Sequence, residues 1–428
     1  MLFRTSVLCV NKFIVFLTLV LCCSLVSCNQ GAEKEARTPK AVFIIVDGIP
    51  ADVIEKLNPP TLAAISKAGG FTRAYVGGQT GTYTETPTIS AVGYNSLLTG
   101  TWVNKHNVWD NDIAEPNYHY KDIFRIAEEY NKDLQTAVFS TWTDNRTKLI
   151  GEGLPQTGKV MLDYKFDGLE LDTIKYPHDE QSEYIRLIDE AVSDQAARHI
   201  REHGPDLSWV YLQYTDDMGH RFGDSEQFYE AIRLADRQVG KVWEAIKHRD
   251  SQFDEDWLII ITTDHGRDAT TGKHHGGQST REKLTWIATN ASDVNERFQH
   301  TPAVVDIMPS ICNYLGIEIP DPVKKEIDGV PFIGPVDFCD LQGEIIDGKI
   351  SLRWKSLGAE KGKADVLIAN TNAFVVGGED QYQKAGEVDI SAEAYSFEHE
   401  AGGELCKVLL KGPNHYANVW LAPRAAQN

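Results

Sequence analysis

Four short stretches combine carboxylates and imidazoles in a pattern that suits metal chemistry. Asp47 ends the apolar run Ile44-Ile45-Val46, Asp216-Asp217-Met218-Gly219-His220 sets a carboxylate and an imidazole four residues apart, and Asp264-His265-Gly266 follows another apolar run. His274-His275-Gly276-Gly277 comes soon after. One aspartate behind one strand is ordinarily a helix cap or a turn residue, and one histidine is ordinarily a surface or hydrogen-bonded residue. Several such clusters at the ends of separate strands point to a shared site, because in open α/β sheets the carboxyl ends of the strands form the ligand crevice. Asp and His without Cys suit divalent ions, zinc among them; the same donors bind manganese.

The elements that must position these residues follow from apolar patterning. Residues 41–46, 136–140, 209–214, 257–263 and 284–289 are short, nearly continuous apolar runs, as expected of strands covered on both faces. Between them lie amphipathic stretches, clearest over 225–248, where Phe228, Ile232, Ala235, Val239, Val242, Trp243 and Ile246 recur at helical spacing. The alternation predicts an α/β fold with a mostly parallel central sheet flanked by helices. From about Gly343 the texture changes to short segments such as 350–354, 406–410 and 417–421, bounded by Gly, Asn and Pro, which predicts a small C-terminal β-sandwich over 343–428 after a catalytic domain over 40–338.

The N-terminus predicts export. Lys12 precedes the apolar run Phe13–Leu21, which is too short for a comfortable membrane span, and small residues lead to Cys28. Residues 1–27 therefore read as a signal peptide and 28–39 as a linker. Leu25-Val26-Ser27-Cys28 resembles the lipobox of bacterial lipoproteins, which implies a lipid on Cys28 and a periplasmic or outer-membrane location; an ordinary signal peptide cut nearby is the alternative.

The formal charge is −20, and loss of Arg4 and Lys12 with the leader makes it −22. Such a chain has no charge-driven attraction for a nucleic-acid duplex, although bound metal would supply the local cation that a phosphate needs. Of seven cysteines, Cys312, Cys339 and Cys406 remain beyond Cys28. Without a Cys-x-x-Cys pair they do not form a thiolate zinc site, and an oxidising compartment permits one disulfide, for which Cys339 with Cys406 is the candidate.

The stretch from about 40 to 335 resembles the alkaline phosphatase superfamily, especially its nucleotide pyrophosphatase/phosphodiesterase branch. That resemblance implies the alkaline-phosphatase-like fold and two metal ions. One would be held by Asp47, Ser90, Asp264 and His265, the other by Asp216, His220 and His275, with His275 preferred to His274 because the family's late ligand immediately precedes glycine. It also implies Ser90 as nucleophile, because the family places it ten residues before the glycine of a Thr-Gly step, here Thr99-Gly100. The branch has a phosphoryl-binding Asn 21 residues further on, which is Asn111, and a His shortly before it, which is His106. Thr88 inherits the role if a gap intervenes.

Metal coordination activates a weak hydroxyl nucleophile, a helix N-terminus at Ser90 would favour the incoming anion, and Asn111 would donate to a non-bridging oxygen. The expected reaction is phosphodiester or nucleotide pyrophosphate hydrolysis through a phosphoseryl intermediate, on a nucleotide or glycan-linked phosphoester. The branch normally uses Thr where Ser90 stands, which leans towards the alkaline phosphatases. Phosphonoacetate hydrolases carry lysines at the places of Thr143 and Asn145, and some phosphomonoesterases carry Lys and Arg there. Only Arg146 is near. Fewer cations suit a diester, so a phosphomonoesterase is the alternative, and a catalytically silent lipoprotein that binds glycan or a partner through the C-terminal sandwich is a second. Sulfatases need a Cys/Ser-x-Pro-x-Arg setting that Ser90-Ala91-Val92-Gly93-Tyr94 lacks. Gln278, Ser279 and Arg281 either line the site or form a solvated loop, and Trp354, Tyr382 and Trp420 read as core of the sandwich.

Overall fold

The computed structural model describes residues 37–358, 362–399 and 405–422. The signal peptide, Cys28 and residues 28–36 of the linker lie outside them. Seven strands form the main sheet: β1 (Thr38–Val46), β2 (Gly70–Tyr75), β3 (Thr136–Ser140), β4 (Tyr164–Phe166), β5 (Leu207–Leu212), β6 (Glu255–Thr262) and β7 (Leu284–Thr289), in the order β2-β7-β6-β1-β5-β3-β4. β1, β5, β3 and β4 pair in parallel, whereas β7 runs antiparallel to both β6 and β2.

The continuous apolar runs are explained by burial on both faces. Along β1, Ala41, Phe43 and Ile45 enter one core while Val42, Ile44 and Val46 enter the other, as the two-residue period of a strand requires. The first core is closed by the helices Ser90–Thr99, Ile123–Tyr130 and Ile307–Leu315. The second is closed by Ala51–Leu57, Glu183–His203 and Glu226–Gln252. Ser225 caps the last of these, accepting from the Phe228 N–H at 3.3 Å, so the expected stripe over 225–248 is one long helix. Asp122 does the same for Ile123–Tyr130, accepting from the N–H groups of Phe124 and Arg125.

One expected boundary shifts and two strands are unexpected. β5 ends at Leu212, and Tyr214 starts the helix Tyr214–Phe222, which places Asp216 in a first helical turn instead of directly behind a strand. The edge strands β2 and β4 carry little apolar patterning, so the sequence does not announce them.

Beyond residue 337 the chain forms two antiparallel sheets. One contains β8 (Phe338–Ile346), β9 (Lys349–Ser356) and β12 (Ala394–Glu398); the other contains β10 (Lys363–Ala369), β11 (Gln383–Asp389), β13 (Cys406–Lys411) and β14 (Tyr416–Leu421). Phe338, Ile350, Leu352, Val366, Val408 and Leu410 share one core between them. Trp354 is buried in that core, as expected of an aromatic in a short strand, whereas Trp420 is buried against Tyr83 and Lys105 of the α/β body and Tyr382 is half-buried outside the strands. These sheets are bound to the α/β body through Lys105, which reaches Asp328 at 2.6 Å and Asn418 of β14 at 2.7 Å, and through Lys407 of β13, which reaches Glu326 at 2.6 Å. Cys339 and Cys406 are both buried free thiols, which corrects the expected disulfide. Cys339 instead lies 3.4 Å from the carboxylate of its neighbour Asp340. No helix among the described residues is long and apolar enough to cross a membrane.

Candidate metal centre

The polypeptide brings six of the expected ligands into two groups, Asp47 with Asp264 and His265, and Asp216 with His220 and His275. Within each group, candidate donor atoms lie within 4.8 Å of one another.

The first group is sealed. Asp264 and His265 side chains are 0% exposed, and His265 Nε2 lies 3.4 Å from Asp47 Oδ1 and 3.3 Å from Asp264 Oδ2. Ser90, first residue of its helix, places Oγ 3.3 Å from the same nitrogen. Gly93, one turn on, lets this helix approach, since a Cβ there would press on the Asp264 backbone and side chain. Tyr94 and Tyr211 both donate to Asp47 Oδ2, Tyr211 at 2.7 Å. The Gly48 N–H donates to Asp264 Oδ1 at 3.1 Å. That leaves Asp47 Oδ1 and Asp264 Oδ2 buried without a partner.

Burial, then the charges of Asp264 and Asp216, push Asp47 well above the usual carboxylate range. Burial likewise raises Asp264, to about 7, with the Asp216 charge adding to it. Two ionised carboxylates with oxygens within 4.8 Å would repel by roughly 3 kcal/mol at an effective dielectric of about 20, so without a cation both hold protons. A divalent cation on the two orphaned oxygens would reverse that sign, so the donor set fits a metal.

The second group is more open. His220 is 46% exposed and lies 3.2 Å from Asp216 Oδ2. His275 Nε2 lies 3.0 Å from His220 Nε2, while His275 Nδ1 faces the Thr88 carbonyl at 2.8 Å, which holds the ring with Nε2 inward. The rings of His275 and His265 stack at 3.6 Å and 14°, joining the two groups. Burial lowers the pKa of both, and His275 lowers His265 further, so both imidazoles are neutral and available as ligands. The hydrogen bond to Asp216 raises that of His220.

Asp216 has a balancing charge that Asp47 lacks. Arg267, with a fully buried side chain, donates to Asp216 Oδ1 and also to the carbonyls of Asp216 and Gly48, each at 2.9 Å. Burial alone would raise Asp216; the Arg267 charge, with His220 and His265, outweighs it and holds the group far below the usual range. Side chains at Gly48, where φ is +67°, or at Gly219 would collide with this guanidinium, so both glycines make room for it.

Of the remaining expected residues, Asn111 accepts from the Ala91 N–H at 2.9 Å, which places its side chain at the start of the Ser90 helix. Thr88 is engaged otherwise, its hydroxyl donating to Gly277 O and accepting from Gly276 N. His274 belongs to neither group. Arg146 is bidentate on Asp167 and also reaches Glu152 at 2.6 Å. Arg281 spans Asp52 and Asp224, Ser279 caps the short helix Thr280–Lys283, and Gln278 braces Thr80 and the Thr86 carbonyl. Sequence reasoning misses Tyr94, Tyr211, Arg267 and Thr215, whose hydroxyl donates to the Asp47 carbonyl at 2.6 Å. Arg267 has a usable signal, a charge immediately behind Asp264-His265-Gly266. Tyr94 has another, lying one helical turn beyond Ser90.

The sequence pattern of the type I phosphodiesterase / nucleotide pyrophosphatase family matches residues 41–316, a span that contains Ser90, Asn111 and both groups. The chain belongs to this family. Members of the type I phosphodiesterase family are metal-dependent phosphoric ester hydrolases. The chain is similar to mouse ectonucleotide pyrophosphatase/phosphodiesterase family member 1, at 24% identity over 267 residues, covering 61% of this chain and 26% of that protein. It thus spans about a quarter of that relative's length. Among solved structures it is similar to the phosphonate monoester hydrolase of Agrobacterium radiobacter (14% identity, TM-score 0.48, covering 75% of this chain and 88% of that one). Murine ectonucleotide pyrophosphatase/phosphodiesterase 5 gives 13% identity and a TM-score of 0.44, covering 66% and 96%.

Proposed function

We propose that the protein is an exported phosphodiesterase or nucleotide pyrophosphatase that works through a phosphoryl group carried on Ser90. The observation that carries this reading is the position of Ser90 Oγ, 3.3 Å from His265 Nε2 at a helix start, with the two Asp/His groups joined beside it. Asp47, Ser90, Asp264 and His265 would hold one divalent ion, zinc in the first instance, and Asp216, His220 and His275 the other. When bound, the two ions supply Lewis acidity, stabilising the negative charge on the attacking and leaving oxygens of an in-line displacement.

The chain's own residues do the rest. Ser90 Oγ forms a bond to phosphorus as its proton passes to solvent, and the bond from phosphorus to the leaving oxygen breaks with its electron pair, that oxygen taking up a proton from solvent. Asn111, tethered through its Oδ1, turns its amide N–H groups to a non-bridging oxygen. Water then forms the new oxygen–phosphorus bond, the bond from Ser90 Oγ to phosphorus breaks, and a proton from that water ends on Oγ. Tyr94 and Tyr211 hold Asp47, and Arg267 holds Asp216.

A diester is favoured because Arg146, Arg267 and Arg281 are each matched by carboxylates, leaving no surplus charge from them for a phosphate dianion. On zinc-loaded protein, kcat/KM for bis-p-nitrophenyl phosphate and for a nucleotide diester should exceed that for p-nitrophenyl phosphate; the reverse order overturns the diester assignment in favour of a phosphomonoesterase. Ser90→Ala should abolish turnover while two metal ions still bind, whereas retained turnover would move the nucleophile to Thr88. Failure to bind about two equivalents after reconstitution would favour a silent binding protein. Export by the leader and lipid attachment at Cys28 are part of the same proposal, and metabolic labelling with palmitate, lost in Cys28→Ala, tests them.

A further inference from the structure

Between the Ser90 helix and Asn111 the chain makes a turn that the proposed chemistry leaves unused. The turn is pinned at both ends. At its far end, Asn111 Oδ1 accepts from the Ala91 N–H. At its near end stands His106, which is 0% exposed. Its Nδ1 accepts from the Val108 N–H at 3.1 Å, so the proton of the neutral ring is on Nε2. Nε2 lies 3.0 Å from Ser96 Oγ, and that hydroxyl donates to the Val92 carbonyl at 2.8 Å, which leaves its lone pair to accept from the ring. Every polar atom in the chain Val92–Ser96–His106–Val108 therefore has one assigned direction. The imidazole is held neutral, its pKa pushed down to about 3 by burial, so the arrangement does not switch in the range where the enzyme works.

We propose that His106 is a positioning residue that, with Ser96, fixes the turn 107–111 on the Ser90 helix and so sets Asn111 beside the nucleophile. The geometry forms a closed ring: Ser90 helix, Ser96, His106, Val108, Asn111 and back to Ala91. A flexible turn of this length would let an exposed Asn sample many positions. Pinned at two points on one helix, it presents its amide to a non-bridging oxygen of the phosphate that Ser90 attacks, the preorganisation that makes such donors effective. The inference rests on the roles given above to Ser90 and Asn111.

The test combines hydrogen exchange with a double-mutant cycle on the full, metal-loaded protein. In His106→Ala, exchange of the Ala91 amide should quicken by about tenfold while amides of β1 keep their protection. On bis-p-nitrophenyl phosphate, kcat should fall about tenfold with KM within about twofold, and the His106→Ala/Asn111→Ala pair should be no slower than Asn111→Ala alone. Ser96→Ala, which places a good helix former in the helix, should reproduce the quickened exchange and the kcat loss if His106→Ala fails to fold. His106→Gln, which keeps a donor toward Ser96, should recover part of both. Unchanged protection of Ala91 in Ser96→Ala, or additive losses in the double mutant, would overturn the proposal. Wild-type turnover by Asn111→Ala would instead overturn the role of Asn111, and the exchange of Ala91 would then decide the His106 link by itself.

Discussion

The two Asp/His groups are built from the same residue types and yet stand in opposite electrostatic states. Around Asp47, Asp264 and His265 the protein seals two carboxylates together with orphaned oxygens and only hydroxyl and backbone donors for company. Around Asp216, His220 and His275 it leaves one imidazole half in solvent and sets a buried guanidinium on the carboxylate. The first group is therefore unfavourable without a cation, and the second is already balanced. Without a cation the sealed carboxyl groups escape that cost only by holding protons, whereas Asp216 is kept ionised by Arg267 and needs neither.

That contrast can be broken by charge removal. Asp264→Asn should lower kcat by about a thousandfold or more, because it removes a donor at the Ser90 side of the centre. In the metal-free protein above pH 7, the same change should raise unfolding stability by about 1–3 kcal/mol, as a buried carboxyl that resists ionisation gives way to a neutral amide. Asp216→Asn should also be inactive but should cost the metal-free protein about 3–5 kcal/mol, because it strands Arg267 in the interior. Urea unfolding after exhaustive chelation measures both. Equal signs would show that the two groups do not differ as described.

A smaller effect concerns pH. Asp264 is raised to about 7 in the folded state, against an unfolded value near 4. The folded metal-free protein thus binds the extra proton between those values, so stability should fall as pH rises from about 4 to about 7. Asp264→Asn should make that slope shallower without abolishing it, because burial also raises Asp47, Asp122 and Asp189, and unfolding midpoints across the window measure the difference. The smallest effect should come from reductant: with Cys339 and Cys406 as free thiols, dithiothreitol should leave the unfolding midpoint unchanged, and a clear drop would restore the disulfide.

Much of the site is legible in the amino-acid sequence. Asp47 and Asp264 stand directly behind strands, so strand patterning brings them to one sheet edge, and the four-residue step from Asp216 to His220 is one helical turn; their division into two groups comes only with the family resemblance. The choice of His275 over His274 has a single glycine behind it; in the fold His275 Nδ1 faces the Thr88 carbonyl and its Nε2 lies beside His220, while His274 belongs to neither group. Tyr211 and Arg267 are hidden for a different cause. Tyr211 sits in an apolar run where a tyrosine passes for core, and its hydroxyl acquires meaning only when β5 lies beside β1. Arg267 meets Asp216 across 51 residues of sequence, through space made by Gly48 and Gly219. Such contacts belong to the packing of strands and helices on one another and leave no local periodicity.

The central claim is that Ser90 carries the transferred phosphoryl group. Rapid acid quenching of the metal-loaded protein during turnover of bis-p-nitrophenyl phosphate, followed by peptide mass spectrometry, tests it directly. A p-nitrophenylphosphoryl adduct is expected on the peptide containing Ser90, absent from Ser90→Ala. An adduct on Thr88, or full turnover with no adduct on any residue, would contradict it.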